Sequence, residues 1–244
     1  MYNYKLIIEY DGLNYFGWQK QKYTKNTIQE NIESAFSTVL KSEVKLTVAG
    51  RTDTKVSAYN QTANFYTEKA FDKDKVRRSV NSILDDTITV KRISKVSNSF
   101  HSRYSAKSRE YIYRIATQKK SIGCKYFYRI NFIPDFVKLD DFINFIILQK
   151  NFRSLCKNTE DKFEFYCDIY SFSYFIVKSK SEIVFTISAS RFLHSMIRAV
   201  IGCALDIARG KEDAERIKKL IRKGEKFKIH YLPANALFLN KIRY

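Results

Sequence analysis

Tyr4-Lys5-Leu6-Ile7-Ile8-Glu9-Tyr10, closed by Asp11-Gly12, reads as a β-strand running into a turn. β-Branched and aromatic residues suit a pleated, half-buried surface, and Asp-Gly supplies the turn backbone. Working outward, Thr27-Ile28-Gln29-Glu30 has the form of a capping box, in which hydroxyl and carboxylate reciprocally satisfy free amides at a helix start. Apolar residues then recur at Ile28, Ile32, Ala35, Phe36, Val39 and Leu40, a helical stripe. Strands are predicted over residues 44–48, 61–67 and 87–96, with a second helix from Asp72 carrying Val76, Val80, Ile83 and Leu84 on one face. The order is β-α-β-β-α-β, the split unit of ferredoxin-like folds.

The remainder follows more loosely. Strands are expected over residues 111–116, 172–177 and 183–189, and helices over 139–148, 192–209 and 213–222, with Gly210 at a C-cap position. The expected division is residues 1–104 and 105–244, without detectable sequence repeat.

Composition narrows the class. The 244 residues carry 44 Lys+Arg against 25 Asp+Glu, a formal charge of +19. No apolar run approaches the ~18 residues of a membrane span. Met-Tyr-Asn-Tyr-Lys is not a signal-peptide start, and Pro and Gly are too few for a collagen-like repeat. Cys124, Cys156, Cys167 and Cys203 form no CxxC pair, and His101, His194 and His230 no HxxxH pattern. The expectation is a cytoplasmic protein with reduced thiols packed as small hydrophobes, no metal site, no cofactor and no membrane contact.

The charge is unevenly spread. Residues 101–130 hold eight Lys/Arg against Glu110 alone, whereas residues 135–170 hold five against seven acids. A patchy cationic excess suits a polyanion, since each neutralised phosphate releases counterions. Tyr104, Tyr111, Tyr113, Tyr126, Phe127 and Tyr128, interleaved with the basic residues, are either base-stacking groups or core residues of strands.

Three constellations offer chemistry. Asp53 sits in Gly50-Arg51-Thr52-Asp53-Thr54-Lys55 with a cation two residues to either side, which favours an ionised carboxylate. It is a turn cap, or a nucleophile or base. Arg191, His194 and Arg198 fall on one face of the expected helix from 192, either as a solvated stripe or with an arginine holding a loop carboxylate. Tyr111 and Tyr113 share a strand face beside a basic entry, as packing pairs or as part of a site.

Together and in this order, these segments resemble the tRNA pseudouridine synthase A (TruA) family. Its Ala-Gly-Arg-Thr-Asp motif stands at Ala49-Gly50-Arg51-Thr52-Asp53. Its Phe-x-x-Arg-x-Ser-Ala…Arg-x-Tyr-x-Tyr segment matches Phe100, Arg103, Ser105, Ala106, Arg109, Tyr111 and Tyr113. Phe192, Leu193, Met196, Ile197, Arg198 and Gly202 match a third segment. Tyr10-Asp11-Gly12…Tyr15-Phe16-Gly17-Trp18-Gln19 and Leu237-Phe238-Leu239 are flanking signatures. The chain departs from the family at Lys55, where glycine is usual, at Ser57, where histidine is usual, and at Ala236, where glycine usually precedes the closing strand. Glycine tolerates positive φ and lysine does so only with strain, so the loop after Asp53 is expected to differ.

The resemblance implies an α+β fold of two ferredoxin-like halves sharing a mostly antiparallel sheet. It implies isomerisation of uridine to pseudouridine at positions 38 to 40 of the tRNA anticodon stem-loop, by a homodimer. Asp53 would be the nucleophile or a base, Arg198 would orient it, and Arg51, Arg109 and Tyr111 would bind the extruded nucleotide. Three other readings compete: a non-catalytic tRNA chaperone on the same fold, an RRM-type module, and the same chemistry on another RNA. The second lacks an RNP1 run on any expected strand.

Overall fold

The computed structural model describes residues 1–157 and 164–244. The chain forms two compact units, one of Met1–Lys107 with Phe238–Tyr244 and one of Ser108–Leu237.

In the first unit β1 (Tyr2–Tyr10), α1 (Ile28–Leu40), β2 (Thr47–Val48), β3 (Ser57–Thr67), α2 (Lys73–Asn81) and β4 (Ile88–Val96) follow in the β-α-β-β-α-β order read from the sequence. β1 is antiparallel to both β3 and β4, and β2 is antiparallel to β3, giving the order β4-β1-β3-β2. Alternation does the sorting: Tyr4, Leu6 and Ile8 are buried on one face, with Phe65 and Ala63 opposite Tyr4 and Leu6. Ile32 and Phe36 of α1 are buried as well, and the Phe36 and Phe65 rings lie 5.2 Å apart. Asn3 and Asn64 are also buried, which is tolerable because Asn64 Nδ2 donates to Asn3 Oδ1 at 3.0 Å.

The second unit comprises β5 (Ser108–Ala116), β6 (Tyr128–Arg129), α3 (Phe136–Leu148), β7 (Ile169–Val177), β8 (Glu182–Ala189), α4 (Met196–Ala208) and α5 (Ala214–Lys223). β8 is antiparallel to β5 and β7, and β6 runs parallel to β5. The order β5-β8-β7 repeats the β1-β3-β2 order of the first unit, so the topology is duplicated where the sequence shows no repeat. The last strand, β9 (Leu237–Arg243), returns to the first unit. It lies parallel to β3 at Ser57 and Ala58, on the stretch of that edge that the two-residue β2 leaves open. The fold is α+β with mostly antiparallel ladders. Among the described residues, no helix is long and apolar enough to cross a membrane.

Several local expectations need correcting. Residues 44–46 are not strand; β2 is only Thr47–Val48. The capping box is half made: Thr27 Oγ1 accepts from Glu30 N at 3.4 Å, but the Glu30 carboxylate pairs with Lys20 at 2.9 Å. Thr27 N donates instead to Lys25 O. α2 ends at Asn81, so Ile83 is exposed rather than on a buried stripe. α4 starts four residues later than expected because Ser195 takes φ +62°, outside helical space. Arg191 and His194 therefore precede the helix and share no helical face with Arg198. Cys124 is exposed; Cys156, Cys167 and Cys203 are buried, and burial pushes the last two thiols up to about 12.

Candidate active site

The Gly50–Val56 stretch leads into β3 and is held from beneath by residues 10–18. Trp18 N donates to Thr52 O at 3.1 Å, and Lys55 N to Tyr15 O at 3.4 Å. The buried Tyr10 hydroxyl shares a hydrogen bond with Thr52 Oγ1 at 2.7 Å, in which either oxygen can donate, and accepts from Gln61 Nε2 at 3.4 Å. Burial pushes that phenol up to about 12 despite both hydrogen bonds, so it stays protonated. Gln61 Nε2 also donates to Gly50 O at 2.8 Å. Gly12 N donates to Ser57 Oγ at 2.9 Å, and Ser57 Oγ lies 3.3 Å from Asp11 Oδ1.

Two glycines make this contact close enough. A Cβ on Gly12 would lie 2.1 Å from Val56 O. Gly17, at φ +88°, would bring one to 2.8 Å from Thr52 O. The sequence shows residues 10–19 as a strand end, a turn and a flanking signature, but not as the bed of the loop. The available signal was a pair of turn glycines five residues apart beside an aromatic-rich strand end.

Within the loop, Asp53 is half-buried and Arg51 exposed. Val56 N donates to Asp53 O at 3.1 Å, closing the turn. Lys55 takes φ +67°. The left-handed backbone that glycine would adopt freely is thus kept here with lysine, so the expected departure of the loop does not take the form of an avoided positive φ.

In the second unit the segment running from Ser190 into α4 gathers the other candidates. Arg109 Nη1 on β5 donates to Ser190 O at 2.8 Å. Tyr111, two residues on, is buried with its ring edge-on to Phe192, centroids 5.2 Å apart. Arg198 Nη2 donates to Ser195 Oγ at 2.8 Å and Nη1 to Leu232 O at 3.2 Å. α4 is buried at every position except Arg198. Arg198 is half-buried, and its guanidinium ties the helix start to the 230–232 segment. A Cβ on Gly202 would lie 2.0 Å from His230 O, so the helix touches the 230–232 backbone directly.

Tyr113, one strand repeat from Tyr111, donates to Pro233 O at 2.9 Å and is raised by burial; it is a core residue. Arg191 is on the surface, 3.5 Å from Glu164. Among the described residues no group of three or more His, Cys, Asp or Glu side chains could hold a metal ion.

The carboxylate loop lies in the first unit, and Arg109, Tyr111 and Arg198 in the second, whose strand order repeats that of the first. Comparison with known families gives the class, that of the pseudouridine synthases. The family model for tRNA pseudouridine synthase matches residues 6–105 and 149–244. The chain is 35% identical to tRNA pseudouridine synthase A of Caldicellulosiruptor saccharolyticus, over 100% of each chain. It is 32% identical to that of Chlorobium phaeobacteroides, over 100% of this chain and 94% of the relative. With tRNA pseudouridine synthase A 2 of Bacillus cereus it shares 28% identity over the full length of both. Over 83% of its length it is similar to 44% of a chain in a solved H/ACA RNP bound to a substrate RNA, at 12% identity and a TM-score of 0.36, too distant to bear on the site. The chain belongs to the tRNA pseudouridine synthase family, in its TruA branch. It is an isomerase that makes pseudouridine in tRNA.

Proposed function

We propose that the enzyme converts uridines 38 to 40 of the tRNA anticodon stem-loop to pseudouridine, with Asp53 as the reacting carboxylate. The reading is carried by one observation: Asp53 ends a Gly-Arg-Thr-Asp stretch that three hydrogen bonds tie to residues 10–18, at Thr52 O, Lys55 N and Ser57 Oγ, with Gly12 close against the Val56 carbonyl. Such a loop carries a side chain at fixed orientation, which is what attack or proton removal at the ribose needs.

In the reaction the C1′–N1 bond breaks, the uracil turns over, C5 bonds to C1′, and the C5 proton leaves as N1 gains one. As nucleophile, Asp53 bonds to C1′ while the C1′–N1 bond breaks, and that ester bond breaks in turn when C5 attacks C1′; as base, it takes a ribose proton while C1′–N1 breaks and returns it when C5 bonds to C1′. Arg198 is proposed to pair with Asp53 and orient it, a bidentate fork being suited to a carboxylate. Arg51 would help hold the target nucleotide out of the stack, Arg109 would bind it, and Tyr111 would lie against its uracil. The enzyme is proposed to act in the cytoplasm as a homodimer with tRNA across both subunits, as the family resemblance implies.

The test is carbodiimide treatment and primer extension on an unmodified tRNA transcript incubated with the enzyme. Stops confined to the 38 to 40 region support the assignment. Stops elsewhere keep the chemistry and discard the target.

A further inference from the structure

The six aromatic residues of the basic stretch do not share one fate. Tyr111 and Tyr113 are buried, and Phe127 is covered by Arg114 and Lys120, at 4.0 and 5.0 Å from its ring. Tyr104 stands apart at 76% exposure.

Exposure alone is unremarkable for a surface tyrosine, but the backbone beneath this one is fixed from several sides. His101 Nδ1 accepts from the backbone N–H of both Arg103 and Tyr104, at 3.2 and 3.3 Å. His101 and Ser105 exchange two hydrogen bonds, at 2.9 and 3.1 Å. Ser102 N donates to the buried Asn64 Oδ1 at 2.9 Å, and the Tyr244 hydroxyl donates to Ser102 O at 3.0 Å. The Tyr104 ring is packed on the His101 ring, centroids 4.4 Å apart at 33°, with the Arg103 guanidinium 5.5 Å from the tyrosine ring. An aromatic face is thus held in water, on an ordered turn, beside the Arg103 guanidinium. That is the design of a stacking platform for single-stranded nucleic acid.

We propose that Tyr104, backed by His101 and flanked by Arg103, takes the face of one unpaired nucleobase of the RNA substrate. The base is not the reacting uridine. Turn and reacting loop are both tied to β3, at Asn64 and at Ser57, and seven residues of strand span about 23 Å. Tyr104 therefore reads a nucleotide several positions away, and adds affinity without touching the chemistry. The inference rests on the proposed RNA substrate.

The experiment compares wild type, Tyr104→Phe and Tyr104→Ala for binding to an unmodified tRNA transcript across a salt series, with turnover at saturating tRNA and mass by light scattering. Expected are wild-type binding for Tyr104→Phe and about tenfold weaker binding for Tyr104→Ala, the loss being a stacked ring. The slope of log affinity against log salt should stay unchanged, because no phosphate contact is removed. Saturated turnover should also be unchanged. Tyr104→Ala binding as tightly as wild type would overturn the proposal. So would a changed salt slope, or a change of oligomeric mass that marks Tyr104 as a protein contact. If wild type bound no tRNA, the functional reading itself would fall, an outcome distinct from a silent Tyr104→Ala.

Discussion

Replacing Gly12 by alanine puts a methyl group 2.1 Å from the Val56 carbonyl oxygen, where ordinary contact begins near 3.4 Å. One of the two backbones must retreat by about 1.3 Å, and neither partner is a flexible side-chain end. Gly12 N is bonded to Ser57 Oγ and Val56 N to Asp53 O, so the strain passes directly into the loop that carries Asp53. Overpacking of this kind costs about 1–3 kcal/mol. Alanine recovers ~0.4–1 kcal/mol of that by restricting the unfolded chain. The net loss is about 1–2 kcal/mol, or roughly 3–6 °C in Tm for a protein of this size. Displacement of a reacting group by 1 Å costs about 100-fold in rate. The assay pairs thermal melting with tritium release from tRNA carrying [5-3H]uridine, since the C5 hydrogen leaves to solvent. Gly50→Ala is the control: nothing lies within 4 Å of its Cβ and its φ is not positive. That variant should melt with wild type or above it. A Gly12→Ala protein that melts within 1 °C of wild type and turns over within threefold would refute the claim that residues 10–18 fix the loop.

Other consequences are open to measurement. Lys55→Gly should raise stability by about 0.5–1 kcal/mol in denaturant unfolding. Release of a left-handed lysine gains ~1–2 kcal/mol, while the added freedom of glycine in the unfolded chain takes part of it back; a loss of stability would contradict the strain reading. Tyr111→Phe keeps the edge-on contact with Phe192 and should retain much of the tritium-release rate. A variant as dead as one lacking the Asp53 charge would mean that the hydroxyl takes part in the chemistry. The Glu182 carboxyl would be raised by burial, but Lys120 and Arg114, at 2.8 and 3.3 Å, outweigh that and hold it below its ordinary 4.5. Its folded value is depressed, so its stabilising charge is fully present above pH 4.5 and fades as pH falls through the lowered value. The Tm difference between wild type and Glu182→Gln should accordingly be largest near neutrality and shrink below pH 4.5; a gap independent of pH would exclude the ion pairs as its source.

Element types in the first unit were legible because the sequence obeys two clean periods: alternation in Tyr4–Leu6–Ile8 and the helical stripe from Ile28 to Phe36. What escaped was non-local or conformational. The pairing of β9 with β3 joins residues 181 positions apart, and no local pattern announces it. Ser195, whose left-handed backbone delays α4, is a residue without strong preference for that region, so helical spacing of Leu193, Met196 and Ile197 read as helix through it. The loop residues of the candidate site were found through motif spacing, whereas the bed beneath them was not. A glycine chosen for close approach looks in sequence like one chosen for a turn, and Gly12 and Gly17 declare their function only through the carbonyls they face.

Turnover by Asp53→Asn tests the central claim most directly, because the exchange keeps the size of the side chain and removes its charge. Tritium release and pseudouridine mapping on one tRNA transcript, with tRNA affinity measured in parallel, should show no product from the variant and binding close to wild type. Product formed at a rate within tenfold of wild type would contradict the account, since the carboxylate that the loop is built to hold would then not be the reacting group.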